Sequence, residues 1–201
     1  MLEIVILAAG ASTRLGKSKQ LLKINDEPIV CIVATIAAKL KDNFKLNQPT
    51  VILGKDAQKI EKALEFSDVK TIYNEQWKDG MGSSIATAAN NLRSNSTAIL
   101  LMTCDQILIT HEALITLIQH WHLNTEKIIA SAYNNTLGIP VIFPARYFPE
   151  LCLLGADKGA KGLLKKYKDD VMPFDFPSAT QDLDTKDDEA KVRQILEGNK
   201  Y

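Results

Sequence analysis

Four short apolar segments alternate with helical segments over the first 122 residues, and this alternation limits the possible folds more than any other feature. The apolar segments are LEIVILAA (2–9), PTVILG (49–54), VKTIYN (69–74) and TAILLMTCD (97–105). Continuous apolar runs of this length are typical of strands buried on both faces. The helical segments span 28–43, 56–66, 82–93 and 110–122. The pattern predicts an α/β fold in which helices cover both faces of a mostly parallel, Rossmann-like sheet.

The regular alternation of apolar and helical segments ends before residue 127. Residues 127–143 read as two strands around an Asn-Asn turn, which is a hairpin signal. Residues 155–170 contain a glycine-rich turn followed by a basic helix, and residues 182–196 an acidic turn followed by an amphipathic helix. With 201 residues, 46% of them hydrophobic, the chain is expected to form one domain spanning 1–201.

Composition and charge argue against several classes of function. The chain has 24 lysines and arginines and 24 aspartates and glutamates, whereas a general nucleic-acid binder usually carries a basic excess. Cys31, Cys104 and Cys152 are far apart and form no CxxC pair, so neither a zinc ribbon nor a disulfide framework is indicated. No signal sequence and no apolar run near 18 residues is apparent, so a cytoplasmic protein without membrane association is expected.

The loop after the first strand, in LAAGASTRLGKSKQLL (7–22), combines glycines with cations. Gly10 and Gly16 allow a ligand to approach the backbone closely, and Arg14 and Lys19 can hold phosphate oxygens. The spacing matches neither the P-loop nor the G-x-G-x-x-G fingerprint. From these residues alone, a phosphate site and a solvated surface loop both remain possible.

Carboxylates supply a second candidate feature. Asp105 ends the fourth apolar segment, and Asp182 and Asp184 alternate in DLDT, so only one of that pair can face a given site. Carboxylates together with substrate phosphates suit Mg²⁺, although acidic residues before a helix also serve as N-caps. In a parallel sheet, ligands lie beyond the carboxyl ends of the strands, so the glycine loop and Asp105 are expected at the same edge.

A third feature is NEQWKDGMGSSI (74–85), in which Gly80 precedes a predicted helix. Ser83 or Ser84 can cap that helix, or the segment can surround a base or ribose, with Asn74 reading polar edges. Trp77 can pack on a ligand or fill a local core. The residues leave these alternatives open.

Taken together, these motifs resemble the nucleotidyltransferases of the molybdenum cofactor cytidylyltransferase type, whose first loop follows roughly the pattern LAAGxSxRxGxxKxLL. The likeness continues, in the family's order, through NDEPIV, NEQWKDGMGSSI, CDQ, GIPVIF, GADKGAK and DLDTKDD, and it covers nearly the whole chain. It implies the three-layer α/β fold of the nucleotide-diphospho-sugar transferase type. It also implies transfer of CMP from CTP to the terminal phosphate of molybdopterin, with Mg²⁺ as cofactor and release of pyrophosphate.

The resemblance also implies roles for individual residues. It implies a nucleotide site of Ala8, Ala9, Gly10, Arg14, Lys19, Gly80 and Ser84, catalytic roles for Arg14, Lys19 and Asp105, and metal ligation by Asp105 and Asp184. On the acceptor side it implies Gly138, Pro140, Asp157, Gly159 and Lys161. The alanine pair of LAAG favours CTP, because the guanylyltransferase branch tends to have LAGG.

Several positions depart from the family pattern. Ile107, Ile139, Ala156 and Lys161 stand where relatives usually have proline, histidine, glycine and arginine. Most of these positions lie on the acceptor side, so the acceptor is the least determined part of the reaction. Alternatives are a nucleotidyltransferase with another phosphorylated acceptor or another nucleoside triphosphate, and a non-catalytic protein that carries the cofactor. A molybdenum hydroxylase is an expected partner, which receives the product of CMP transfer to molybdopterin or, in the carrier alternative, the cofactor.

Overall fold

The computed structural model describes residues 1–12, 16–155, 159–176 and 179. The strands are β1 Leu2–Ala8, β2 Lys23–Ile24, β3 Glu27–Pro28, β4 Thr50–Leu53, β5 Lys70–Tyr73, β6 Ala98–Thr103, β7 Ile128–Tyr133, β8 Thr136–Pro144 and β9 Val171–Asp175. The α-helices are α1 Ile29–Phe44, α2 Ala57–Ala63, α3 Met81–Asn90, α4 His111–His122, α5 Phe148–Cys152 and α6 Ala160–Lys166. Short 3₁₀ helices span Lys19–Leu21, Trp77–Asp79, Ala145–Tyr147 and Lys168–Asp170.

Seven strands form one sheet in the order β5-β4-β1-β6-β8-β7-β9, and β2 and β3 form a separate small hairpin. β1 pairs in parallel with β4 and with β6, and β4 pairs in parallel with β5. β8 runs antiparallel to both of its neighbours, and β7 is parallel to β9. The sheet is therefore mostly parallel, with β8 as the reversed strand.

Alternate residues of the central strand face two different cores. Ile4 and Ile6 of β1 belong to a cluster with α1, α2 and α4. Val5 and Leu7 belong to a second cluster with α3, α5 and α6. Since successive strand residues point to opposite faces, a strand covered on both sides must be apolar throughout, as β1 is. This arrangement is the predicted three-layer α/β fold.

The four strands and four helices predicted between residues 2 and 122 are all present, and two of the helices end earlier than expected. The second helix ends at residue 63 and the third at residue 90, where the pattern had extended them to 66 and 93. Thr110 caps α4 as its residue type indicates, because its Oγ1 accepts a hydrogen bond from the Ala113 N–H at 3.2 Å. The predicted hairpin is also present, with Asn134 and Asn135 both at positive φ, as a type I′ turn requires.

Other elements were not predicted. β9 contains Pro173, and a proline argues against a strand, while α5 and the β2–β3 hairpin are too short to produce a clear periodic pattern. The predicted helix within 182–196 lies outside the described residues. Within the described ranges, no helix has the length and apolar character needed to cross a membrane.

Candidate functional site

A cavity of about 330 Å³ opens at the carboxyl ends of β1 and β6. Residues from three separate segments of the chain line it, and they include Ala9, Gly10, Lys19, Gly80, Ser84 and Asp105. The parallel pairing of β1 with β6 explains why the first loop and Asp105 meet. Leu7 lies opposite Thr103, and both strands end just beyond these residues. Six of the residues named from sequence for the nucleotide and metal thus share one cavity. Ala8, the last residue of β1, is buried and does not line it.

The side chains of Lys19 and Asp105 form an ion pair inside this cavity. Lys19 Nζ contacts Asp105 Oδ2, and the two side chains are only 15% and 16% exposed. The other carboxylate oxygen, Asp105 Oδ1, is buried and has no hydrogen-bond partner among the described residues. A buried carboxylate oxygen without a donor is costly, so the arrangement favours a cation or donor from outside the protein at this position.

Gln20 was not singled out from sequence, yet it fixes the first loop. Its side chain is 1% exposed, and its Nε2 donates to Ala8 O at 3.0 Å and to Gly10 O at 2.9 Å. Its Oε1 accepts from Ser18 Oγ at 2.9 Å and from Ser12 Oγ at 3.3 Å. No sequence pattern marks these partners, because they arise only when the loop folds back over the end of β1.

The first loop has two further supports. Ser12 Oγ accepts a hydrogen bond from the Lys19 N–H at 3.1 Å, which ties the start of the loop to its end. Gly16 has a φ of 67°, in the region that favours glycine, so this glycine is explained by the turn itself. Gly10 differs, because a Cβ there would meet no protein atom within 4 Å. Open space above Gly10 agrees with the predicted approach of a ligand to the backbone.

The second loop is held by a buried asparagine. Asn74 is 1% exposed, and its Nδ2 donates to Ser83 Oγ at 2.9 Å and to Ser84 Oγ at 3.1 Å. Its Oδ1 accepts from the Gln76 N–H at 2.9 Å. Of the alternatives left open for this segment, the one in which Asn74 reads the polar edges of a base or ribose is not supported, because its polar atoms bind the loop. The capping role considered for the serines is not observed either, since no side chain caps the start of α3.

Trp77 forms a wall of the cavity. It packs against the core cluster that contains α3, and it also lines a second, more open cavity of about 600 Å³ beside β4 and β5. Gly54 makes this packing possible, because a Cβ at Gly54 would lie 2.6 Å from Trp77 Cβ and 2.5 Å from Ala9 O. The alternative in which Trp77 fills a local core is therefore observed, and its packing on a ligand stays a prediction for a side chain that lines the cavity.

The described residues expected on the acceptor side do not share one cavity, in contrast to most of those expected for the nucleotide. Gly138 and Pro140 are buried in β8, beside a register shift in its pairing with β7. Gln106 joins this segment to the end of β6, because its Nε2 donates to Ile139 O at 3.0 Å. Gly159 lies against Met81, which lines the cavity, whereas Lys161 is exposed on α6.

Some of the predicted residues cannot be placed. Arg14, Asp157, Asp182 and Asp184 lie outside the described residues. Among the residues that are described, no group of three or more His, Cys, Asp and Glu side chains is arranged to hold a metal ion. Asp105 is therefore the placed member of the predicted metal pair.

Cys104 lines the same cavity but is not suited to nucleophilic chemistry. It is 2% exposed, and burial, followed by the nearby Asp105 carboxylate, raises the pKa of its thiol to about 12. A thiol with this pKa is almost entirely protonated at neutral pH. Cys104 therefore serves as a small buried residue of the core cluster around α1 and α4.

Comparison with known proteins identifies the family. The model of the MobA-like NTP transferase domain matches residues 4–171, which include both loops and Asp105. The chain belongs to this family. It is a nucleotidyltransferase, since that is the activity of the domain. No match was found among the curated proteins.

Solved structures of similar proteins share the whole fold. The structure of Rv0371c from Mycobacterium tuberculosis H37Rv is 26% identical, with a TM-score of 0.79 over 96% of this chain and 97% of that one. A complex of Rv0371C with manganese is 24% identical, with a TM-score of 0.75 over 96% and 98%. A nucleotidyl transferase from Methanothermobacter thermautotroptrophicus is 19% identical, with a TM-score of 0.79 over 99% of both chains. The fold is thus of the nucleotide-diphospho-sugar transferase type.

Proposed function

We propose that this nucleotidyltransferase transfers CMP from CTP to the terminal phosphate of molybdopterin and releases pyrophosphate. The observation that carries the proposal is the cavity in which the Lys19–Asp105 ion pair lies and which Ala9, Gly10, Gly80 and Ser84 also line. A cation, a carboxylate and an open backbone loop at one strand edge suit a triphosphate with a divalent cation. The choice of CTP rests on the alanine pair in LAAG, and the choice of acceptor on the resemblance described above.

The donor set fits a divalent cation. Asp105 provides a hard carboxylate oxygen, Oδ1, that is buried without a partner among the described residues. Asp105 and Asp184 would hold Mg²⁺, which would neutralise charge on the phosphates. The structure of a similar protein in complex with manganese is consistent with a divalent metal in this fold.

The reaction needs no side-chain nucleophile. An oxygen of the acceptor phosphate, already anionic, attacks the α-phosphorus of CTP and forms a new P–O bond. The bond from the α-phosphorus to the bridging oxygen breaks, and pyrophosphate leaves with the electron pair. Lys19 and Arg14 hold the phosphate oxygens and stabilise the charge that develops on them. Because the reaction depends on alignment, the fixed loop contributes by positioning.

The acceptor would approach from the side of β8 and α6. Gly138 and Pro140 of β8, together with Asp157, Gly159 and Lys161, are the proposed contacts. Gly159 supports this direction, since it lies against Met81 at the wall of the cavity. A molybdenum hydroxylase is the proposed recipient of the product.

Nucleotide choice is tested first by binding. The protein is titrated calorimetrically with CTP, GTP, ATP and UTP in the presence of Mg²⁺, and thermal unfolding is followed in parallel. CTP is expected to bind most tightly and to raise the unfolding midpoint most, because a ligand that binds only the folded state stabilises it. Tighter binding of GTP, ATP or UTP would refute the choice of CTP, whereas the assignment as a nucleotidyltransferase would stand.

Catalysis is tested with molybdopterin as acceptor by measuring pyrophosphate release. Lys19→Ala and Asp105→Ala are each expected to lower the rate by about 10²–10³, the loss typical for removal of one charge-stabilising group. Lys59→Ala is a matched control, because Lys59 pairs with Asp56 outside this cavity. Rates near the wild-type value in both cavity variants would overturn the assignment.

The two alternatives give different results in the same assays. Pyrophosphate release with a sugar phosphate or polyol phosphate, and none with molybdopterin, would show that the enzyme uses an acceptor other than molybdopterin. Binding of molybdopterin with no pyrophosphate release from any triphosphate would favour the carrier. The Lys19–Asp105 pair argues against a carrier, because a carrier requires no triphosphate and metal site.

A further inference from the structure

The first loop has all four carbonyl oxygens of residues 8–11 held by protein donors. The Gln20 side-chain amide donates to Ala8 O and Gly10 O, at 3.0 and 2.9 Å. Lys55 donates to the other two, from its main-chain N–H to Ala9 O at 3.4 Å and from Nζ to Ala11 O at 3.3 Å. Gln20 and Lys55, which are 35 positions apart in the chain, therefore each bind two of these four carbonyl oxygens.

The geometry points to Gln20 and Lys55 as positioning residues that orient the loop for a triphosphate, an inference that rests on the proposed nucleotide site. Carbonyl oxygens carry partial negative charge and would repel phosphate oxygens. Because a peptide unit is planar and trans, holding its oxygen also fixes the direction of its N–H. Ala9, Gly10 and Ala11, whose N–H directions are fixed in this way, all line the cavity.

The Gln20 amide suits this role because both of its ends are used. Nε2 has two hydrogens and two carbonyl partners, while Oε1 accepts from Ser12 and Ser18. Ser12 in turn accepts from the Lys19 N–H, so the same network reaches the residue proposed to hold phosphate. A carboxylate at position 20 would place negative charge against two carbonyl oxygens, which the amide avoids.

Lys55 reaches the loop because of Gly54. A Cβ at Gly54 would lie 2.5 Å from Ala9 O, so the backbone after β4 can approach the loop only without a side chain. Lys55 is itself exposed, and it lines the second cavity, beside β4 and β5. Its Nζ therefore adds a charged donor to the loop without entering the core.

The first test replaces Gln20 with a residue of similar length that cannot form hydrogen bonds. Gln20→Met is compared with wild type by calorimetric titration with CTP and Mg²⁺, with GTP, ATP and UTP in parallel. Affinity is expected to fall about ten- to a hundredfold, the range seen when groups that orient metal ligands are removed. Gln58→Met is the matched control, because Gln58 is exposed on α2 and lines only the second cavity.

A second variant separates orientation of the loop from simple packing. In Gln20→Glu the buried carboxyl faces two carbonyl oxygens, which disfavours its ionised form and raises its pKa. Below that raised pKa the protonated carboxyl regains one donor. The ratio of wild-type to variant affinity should therefore shrink as pH falls from about 8 to about 5.5, whereas the ratio for Gln20→Met should stay constant. Gln58→Glu should match wild type throughout.

Lys55→Met supplies an independent test in an exposed residue that does not endanger folding. It removes the Nζ donor to Ala11 O and keeps the main-chain donor to Ala9 O, so a smaller loss than for Gln20→Met is expected. Lys59→Met, which removes a neighbouring lysine of the same open cavity, should bind as wild type does.

The results distinguish this inference from the proposed function. If wild type binds none of the four triphosphates, the proposed function fails. If wild type binds and Gln20→Met, Gln20→Glu and Lys55→Met all bind equally well, the nucleotide site stands and the positioning role is overturned. A loss of affinity in Gln20→Glu that is independent of pH would also overturn it, because a packing defect alone would then explain the loss. If the position-20 variants do not fold, the comparison of nucleotide affinity between Lys55→Met and Lys59→Met decides whether the positioning role holds.

Discussion

Replacing Lys19 by methionine should have opposite effects on the two ligands proposed for the cavity. Lys19 Nζ contacts Asp105 Oδ2, so in the ligand-free protein the ammonium group occupies one side of the carboxylate that would bind the metal. Methionine keeps most of the length of the side chain and removes the charge. Metal binding without nucleotide should become stronger, because the carboxylate no longer has a competing cation. Nucleotide binding should become weaker, because a phosphate partner is lost.

The size of the effect follows from the environment of the pair. Two unit charges in contact near a protein surface attract by about 4 kcal/mol. Part of this attraction is offset by desolvation, and the side chains, at 15% and 16% exposed, still reach the water of the cavity. A net stabilisation of about 1–2 kcal/mol remains, which corresponds to about a five- to thirtyfold increase in affinity for the metal.

The measurement is a calorimetric titration with Mn²⁺ and with Mg²⁺, first without nucleotide and then with CTP present. Lys59→Met is the control, since Lys59 also pairs with an aspartate but lies outside the cavity. Weaker binding of metal to Lys19→Met in the absence of nucleotide would refute the competition. Unchanged binding would show that the ion pair does not limit access to Asp105.

Two further predictions concern the surroundings of the cavity. Gly54→Ala places a Cβ 2.5 Å from Ala9 O and 2.6 Å from Trp77 Cβ, so overpacking should lower the free energy of unfolding by about 1–3 kcal/mol, measured by urea denaturation. An unchanged midpoint would contradict it. Cys104, with burial raising its pKa to about 12, should resist iodoacetamide at pH 8 while the half-buried Cys152 is alkylated, as followed by mass spectrometry. Labelling of Cys104 before Cys152 would show that the cavity opens.

The nucleotide-binding residues proposed from the sequence could be recognised because they belong to local patterns. Lys19 and Gly10 belong to one loop, and Asp105 follows an apolar strand, so each can be recognised within a few residues of its neighbours. The parallel sheet then brings them to the same edge, as expected for an α/β fold. The role of Asn74 stayed open at the level of the sequence, because its two serine partners are only nine and ten residues away but the direction of their side chains depends on the turn.

What the sequence alone determined is the layered fold and the chemical character of the first loop. Strands that are apolar on both faces require helices on both sides, and that requirement is already present in the order of residues in β1. The tertiary structure decided which groups orient that loop. Gln20 and Lys55 became its supports only because the folded chain places their donors within reach of four carbonyl oxygens. Hydrogen bonds between distant residues depend on position and direction in space, and no local pattern in the chain records them.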